Sequence, residues 1–232
     1  MTRKELNFDA VFILTYGRSG STLLQGLLNS VDGMLIRGEN NNFVYGLFNS
    51  YERLSTAIAK NGSKARTGTS THPWYGIREI NQDALLSDMR NMVTRVLVSD
   101  YAGTEAVKCI GFKEIRYPDI TDDMSKYLEF LSQLFPKSGF VVLSRDLEQV
   151  KQSAWWRQED PAWVTEYLSS CENELRAYGA DRNDFFFLDY QDVLEAGQKL
   201  RDLFTFLGAP YVEADIERIL SIRHSYVPEV EA

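Results

Sequence analysis

"AVFILTYGRSGSTLL", residues 10–24, decides the fold. The apolar run Ala10 to Leu14 gives way to a turn with glycines at 17 and 20, and then to leucines at 23, 24, 27 and 28. A short continuous apolar run bounded by turn residues reads as a strand buried on both faces, and the three-to-four spacing after it reads as a helix. In a strand, turn and helix of this kind, the first amides of the helix lack intrahelical partners. They point at one spot, and the helix dipole favours negative charge there. Gly17 and Gly20 permit the tight turn, Ser19, Ser21 and Thr22 add hydroxyls, and Arg18 adds a planar cation. The loop is suited to a phosphate or a sulfate. It departs from the GxxxxGK[ST] pattern by lacking the lysine that reaches the β and γ phosphates, which weighs against ATP or GTP hydrolysis.

Outward from this loop, apolar runs alternate with amphipathic segments. Strands are expected at 10–15, 33–37, 107–113, 139–144 and 184–189. Helices are expected at 20–30, 41–60, 82–101, 122–135, 146–158, 161–178, 197–207 and 212–221, with Gly208 and Pro210 as a stop. Strands separated by helices imply an α/β fold, a three-layer sandwich with a central parallel sheet flanked by helices, whose sites lie at the carboxyl ends of the strands. A chain of 232 residues suits one domain, 1–232. The segment 60–76, "KNGSKARTGTSTHPWYG", breaks the alternation and reads as a long loop. A substrate or lid loop is expected over 60–81.

Composition narrows the function classes. The formal net charge is -8 and the sequence pI about 4.9, which excludes a general nucleic-acid or anionic-membrane binder. An anion site must then be a local cluster of Arg and Lys in an acidic background. Cys109 and Cys171 are the only cysteines, with neither a disulfide framework nor metal-ligand spacing, and read as buried thiols. "MTRKELNFDA" has no apolar core of a signal sequence and no run reaches transmembrane length, so a cytoplasmic protein is expected if Met1 is the natural start.

A second anion-binding element is "VVLSRDLEQVKQSAWWRQ", 141–158. Arg145 lies just past a strand, Ser153 follows eight residues later and Arg157 four beyond that, so on a continuous helix Ser153 and Arg157 share a face. The alternative is an ordinary solvated arginine face capped by Asp146.

Together the two elements resemble the sulfotransferases that use 3'-phosphoadenosine 5'-phosphosulfate (PAPS), a family with a P-loop NTPase-like fold. The "GRSGST" loop looks more like the carbohydrate and tyrosylprotein branches than the cytosolic one. "GFKEIRY", 111–117, and "FLDYQDVLEAGQKLRDLFTFLGAPY", 187–211, are also similar to segments of the family. The resemblance implies sulfuryl transfer from PAPS to a hydroxyl-bearing acceptor, leaving 3',5'-ADP, with no metal required. Golgi members carry a membrane anchor, so a soluble member is implied.

The resemblance also implies roles. The loop from Ser19 through Gly20, Ser21, Thr22 and Leu23 holds the 5'-phosphosulfate, while Arg145, Ser153 and Arg157 hold the 3'-phosphate. Arg18 contacts the sulfuryl oxygens as the bond breaks. Glu39, in "IRGEN", is the general base, against the alternative of a carboxylate merely stabilising the next helix. His72 and His224 are the only other candidate bases. Lys113 is either a second cation on the transferred group or a salt-bridge partner, given Glu114 and Arg116 beside it. Tyr190, Trp155 and Trp156 compete between the adenine and core packing. The tail with Arg223 and His224 matches no family pattern. Acceptor contacts are sought in 41–53 and at His72, Pro73, Trp74 and Tyr75, and a saccharide or glycolipid is expected, with a tyrosine or small alcohol left open. Two other classes stay open: a P-loop nucleoside or metabolite kinase, with Asp146 or Asp189 on magnesium, and a catalytically silent binding module.

Overall fold

A computed structural model of the chain describes residues 5–63, 68–99 and 106–222. Five strands form one sheet: β1 (Ala10–Leu14), β2 (Met34–Arg37), β3 (Cys109–Glu114), β4 (Ser138–Ser144) and β5 (Phe185–Asp189). Their spatial order is β2-β3-β1-β4-β5, and every pairing is parallel. Central β1 pairs Phe12 with Phe112 on one side and with Phe140 on the other.

Because side chains alternate across a strand, β1 feeds two separate cores. Ala10, Phe12 and Leu14 join Phe112, Phe140 and Val142 under α2 (Phe43–Asn61), α3 (Gln82–Val98), α4 (Met124–Leu134) and α6 (Pro161–Gly179). Val11 and Ile13 join Val141, Leu143 and Leu188 under α1 (Ser21–Asn29), α8 (Gln198–Leu207) and α9 (Glu213–Leu220). Every residue of β1 is fully buried, as its unbroken hydrophobicity requires. The architecture is the α/β three-layer sandwich. Gly208, with φ 69°, is the left-handed residue that ends α8. Both cysteines are buried and unpaired, and burial pushes the Cys109 thiol up to about 12. Among the described residues no helix is long and apolar enough to cross a membrane.

Two local expectations are corrected. The segment 146–158 is not one helix: α5 (Leu147–Lys151) stops, Ser153 is extended, Ala154 is left-handed (φ 49°), and a 3-10 turn covers Ala154–Gln158. The break lets consecutive tryptophans serve opposite purposes. Trp156 is buried and donates its indole N–H to the Gly17 carbonyl at 3.0 Å, while Trp155 lies against Gly17, where a Cβ would come within 2.5 Å of its ring. A continuous helix could not present neighbouring residues to the same glycine in both ways. The second correction is a short helix, α7 (Tyr190–Glu195), that begins directly at the end of β5. Asp189 and Asp192 form its capping box.

Candidate active site

Loops from all five carboxyl ends of the strands converge on one cavity of about 400 Å³. The β1–α1 loop supplies Arg18, Gly20, Ser21, Thr22 and Leu23; β2 is followed by Glu39; β3 carries Lys113; Arg145, Ser153 and Trp155 come after β4; and α7 brings Tyr190.

Gly20 has φ 90° and caps α1 without any side-chain hydrogen bond; the Leu23 amide donates to the Gly20 carbonyl at 3.0 Å, which leaves the amides of Ser21 and Thr22 to the cavity. A Cβ at Gly20 would overlap the Tyr190 ring, so glycine is required by both conformation and space. Arg18 is itself left-handed (φ 72°), an uncommon state for a long side chain that needs support from its surroundings. The support comes from the turn after β4 and from the break after α5. Arg18 donates Nε–H to Ser153 Oγ at 2.9 Å, and Arg145 Nη1 donates to the Arg18 carbonyl at 3.1 Å. The Arg145 guanidinium also lies 4.4 Å over the Tyr190 ring. Ser19 Oγ is fully buried and has no hydrogen-bond partner among the described residues.

The backbone of Arg145 is pinned from below. The Tyr16 phenol accepts from the Arg145 amide at 2.9 Å and lies 2.6 Å from Glu172 Oε1, to which it donates. Burial raises the pKa of both groups. Nothing in the local sequence marks Glu172, on α6, as a partner of Tyr16.

Lys113 does form a salt bridge, and its partner is Glu39: Nζ lies 2.6 Å from Oε1. The lysine side chain is only 6% exposed and the glutamate 37%. Arg116 Nη1 stands 3.6 Å from the other Glu39 oxygen and 2.9 Å from Glu114. Three cations, Arg18, Lys113 and Arg145, thus line a cavity with Glu39 as its acidic group, in a chain of net charge -8.

Arg157 does not join them. It is exposed, its Nε–H reaches back to the Ala154 carbonyl at 3.4 Å, and it is absent from the cavity wall because the broken helix turns it away. His72 accepts from the Trp74 amide within its own turn and does not line the cavity. Arg223 and His224 lie outside the described residues. Apolar walls from Ile115, Leu194, Leu220 and Ile222 complete the cavity; their residue types carry no sequence signal for such a role.

A narrower cleft shares Ile115 and Trp155 with the cavity and runs past Arg116, Pro118, Asp119 and Tyr167. It opens into a trough where Trp163 and Tyr167 stack with ring centroids 4.8 Å apart. Tyr45, from the 41–53 segment, lines the trough; residues 72–75 do not.

This geometry can hold anions at the α1 terminus, neutralise charge with three cations, and present one carboxylate to a hydroxyl. The model of the sulfotransferase family (Sulfotransfer_3) matches residues 10–213. Among solved structures, the sulfotransferase domain from the curacin biosynthetic pathway is similar with a TM-score of 0.53 and 16% identity. That match covers 90% of this chain and 76% of the other. A sulfotransferase from Alicyclobacillus acidocaldarius gives a TM-score of 0.48 at 15% identity, over 90% of this chain and 88% of that one. No curated protein matches the sequence.

Proposed function

Because the chain belongs to the sulfotransferase family, whose model spans most of its length, we propose that it transfers a sulfuryl group from PAPS to an acceptor hydroxyl by in-line displacement. The observation that carries this reading is the Lys113–Glu39 pair, 2.6 Å apart at the rim of the same cavity as the uncapped α1 terminus. PAPS supplies the sulfuryl group on an activated phosphosulfate linkage. The amides of Ser21 and Thr22 at the start of α1 and the Arg18 guanidinium bind the 5' anion, and the glycine at position 20 carries no side chain to cover them. The orphaned Ser19 hydroxyl beneath the loop is a donor available to the same anion.

Lys113 stabilises the negative charge that develops on the leaving oxygen, and Glu39 accepts the proton of the acceptor hydroxyl. Arg145 and Ser153 are the donors for a 3'-phosphate. The half-exposed Trp155 offers a face to the adenine, and Tyr190, packed against Gly20 and under Arg145, borders it with its edge. The acceptor enters by the cleft past Ile115 and Trp155. Aromatic faces interleaved with Asp119 suit a saccharide or the sugar of a glycolipid, whose C–H faces stack while its hydroxyls donate to carboxylates.

The test is thermal unfolding with 3',5'-ADP, ATP or 5'-AMP, each without and with magnesium. A ligand at one hundred times its Kd adds about 2.7 kcal/mol, which for a domain of this size raises Tm by roughly 5–10 °C. A shift with 3',5'-ADP alone is expected. Stabilisation by ATP only in the presence of magnesium, with none by 3',5'-ADP, would overturn the proposal in favour of a kinase.

A further inference from the structure

Glu114, the last residue of β3, is a carboxylate only 1% exposed. Its Oε2 accepts from the amides of Asn40 at 3.1 Å and Asn42 at 3.0 Å. Its Oε1 accepts from the Ile115 amide at 2.8 Å and from Arg116 Nη1 at 2.9 Å. Burial alone would push this acid up, but the amides of Asn42, Ile115 and Asn40 and the Arg116 guanidinium outweigh it and hold the pKa below its ordinary value. Glu114 is therefore a fixed negative charge whose lone pairs are all in use.

Two of its four donors belong to the loop that carries Glu39. That loop contains two successive left-handed residues, Asn41 (φ 55°) and Asn42 (φ 56°). Asparagine tolerates this conformation better than most residues, yet consecutive left-handed positions persist only where neighbours over-determine them. Asn42 caps α2 without a side-chain capping bond; its Nδ2 donates to the Arg116 carbonyl at 3.3 Å, and with the grip of Glu114 on the two backbone amides this ties the loop to the end of β3. The fourth donor matters differently. Arg116 lies 2.9 Å from Glu114 but 3.6 Å from Glu39, so its guanidinium is drawn away from the second Glu39 oxygen. Lys113 occupies the first. A general base needs one oxygen free to meet the acceptor proton.

We propose that Glu114 is a positioning residue for sulfuryl transfer: it fixes the Asn40–Asn42 loop and restrains Arg116 at ion-pair distance, so that Glu39 presents to the acceptor an oxygen that accepts no hydrogen bond. This rests on Glu39 being the base of that reaction. Loss of Glu114 acts on kcat through Glu39, and the donor site is left intact.

The experiment compares wild type, Glu39→Gln, Glu114→Gln and the double variant. It measures conversion of PAPS to 3',5'-ADP, with p-nitrophenyl β-galactoside as acceptor probe and water as background acceptor, and titrates 3',5'-ADP by calorimetry. In Glu114→Gln, kcat should fall about 10- to 100-fold, the scale of a misplacement of about 1 Å. The KM for PAPS and the Kd for 3',5'-ADP should stay within about threefold, because none of the residues they report on is touched. The double variant should be no slower than Glu39→Gln alone, since a residue acting through Glu39 has nothing left to position. Unchanged kcat in Glu114→Gln, or losses that multiply in the double variant, overturns the inference and leaves the functional reading standing. A wild type that neither binds 3',5'-ADP nor converts PAPS overturns both. Should Glu114→Gln fail to fold, Glu114→Asp takes its place, keeping the charge while drawing the carboxylate one methylene back from the Asn40 and Asn42 amides. It should show the same fall in kcat at constant KM, and an unchanged kcat there overturns the inference.

Discussion

Replacing Glu39 by Gln removes one charge from the Lys113 pair while preserving shape, and two separable losses follow. The first is stability. Breaking a buried ion pair costs about 3–5 kcal/mol and a surface pair about 0–1. Here one partner is 6% exposed and the other 37%, and the amide oxygen of Gln can still accept from Nζ, so a cost of about 1 kcal/mol is expected. For a domain of this size that lowers Tm by roughly 2–4 °C. The second loss is catalytic. A positioned general base contributes about 10²- to 10⁴-fold, so kcat for transfer from PAPS should fall by that factor. Binding of 3',5'-ADP should persist within about threefold, because the α1 amides, Arg18 and Arg145 are untouched. Calorimetric titration, unfolding curves and product chromatography on the same preparation read all three quantities. A variant that keeps kcat within threefold of wild type would refute the assignment of the base. A variant that loses 3',5'-ADP binding would refute the separation of donor and base within the cavity.

Arg145→Ala should weaken 3',5'-ADP binding by roughly 10- to 100-fold, the loss of charged hydrogen bonds worth about 1.5–3 kcal/mol. Arg157→Ala should leave the Kd within twofold, and equal losses in the two variants would show that Arg157 reaches the cavity after all. Acid should destabilise the fold partly through Glu114. Its folded pKa is depressed, so the unfolded state takes up its proton first on acidification. Its contribution is fully present above the unfolded value, about 4.3, and is lost as pH falls through the depressed folded value. The stability gap between wild type and Glu114→Gln, followed by denaturant unfolding at stepped pH, should narrow across that acid window. A gap that stays constant would show that the four donors do not hold the carboxylate ionised.

Much of the molecule was legible because its signals are local. Continuous apolar runs at Ala10–Leu14 and Ser138–Ser144 can only be strands buried on both faces when amphipathic helices separate them, and the glycines at 17 and 20 mark a turn wherever the chain folds. The family resemblance read from the loop and the 141–158 segment together agrees with the family model over residues 10–213. Where the reading went astray, a long-range contact overrode local propensity. The segment 146–158 has the periodicity of one helix, but burial of Trp156 against the Gly17 carbonyl, 139 residues away, breaks it at Ser153 and turns Arg157 outwards. The short α7 was missed because its capping box, Asp189 with Asp192, stands directly against the end of a strand.

The sequence by itself determined the alternation of strands and helices, the glycine turn after β1 and the family resemblance, since each is built from short local patterns. Only the tertiary structure decided which charges meet. Lys113 faces Glu39 rather than its sequence neighbour Glu114, because successive side chains on a strand point to opposite sides. Tyr16 meets Glu172, and Glu114 grips amides more than seventy residues earlier in the chain. Those pairings depend on the parallel stacking of β2, β3, β1 and β4, which brings strand ends distant in sequence to one edge of the sheet, and no local pattern encodes that proximity.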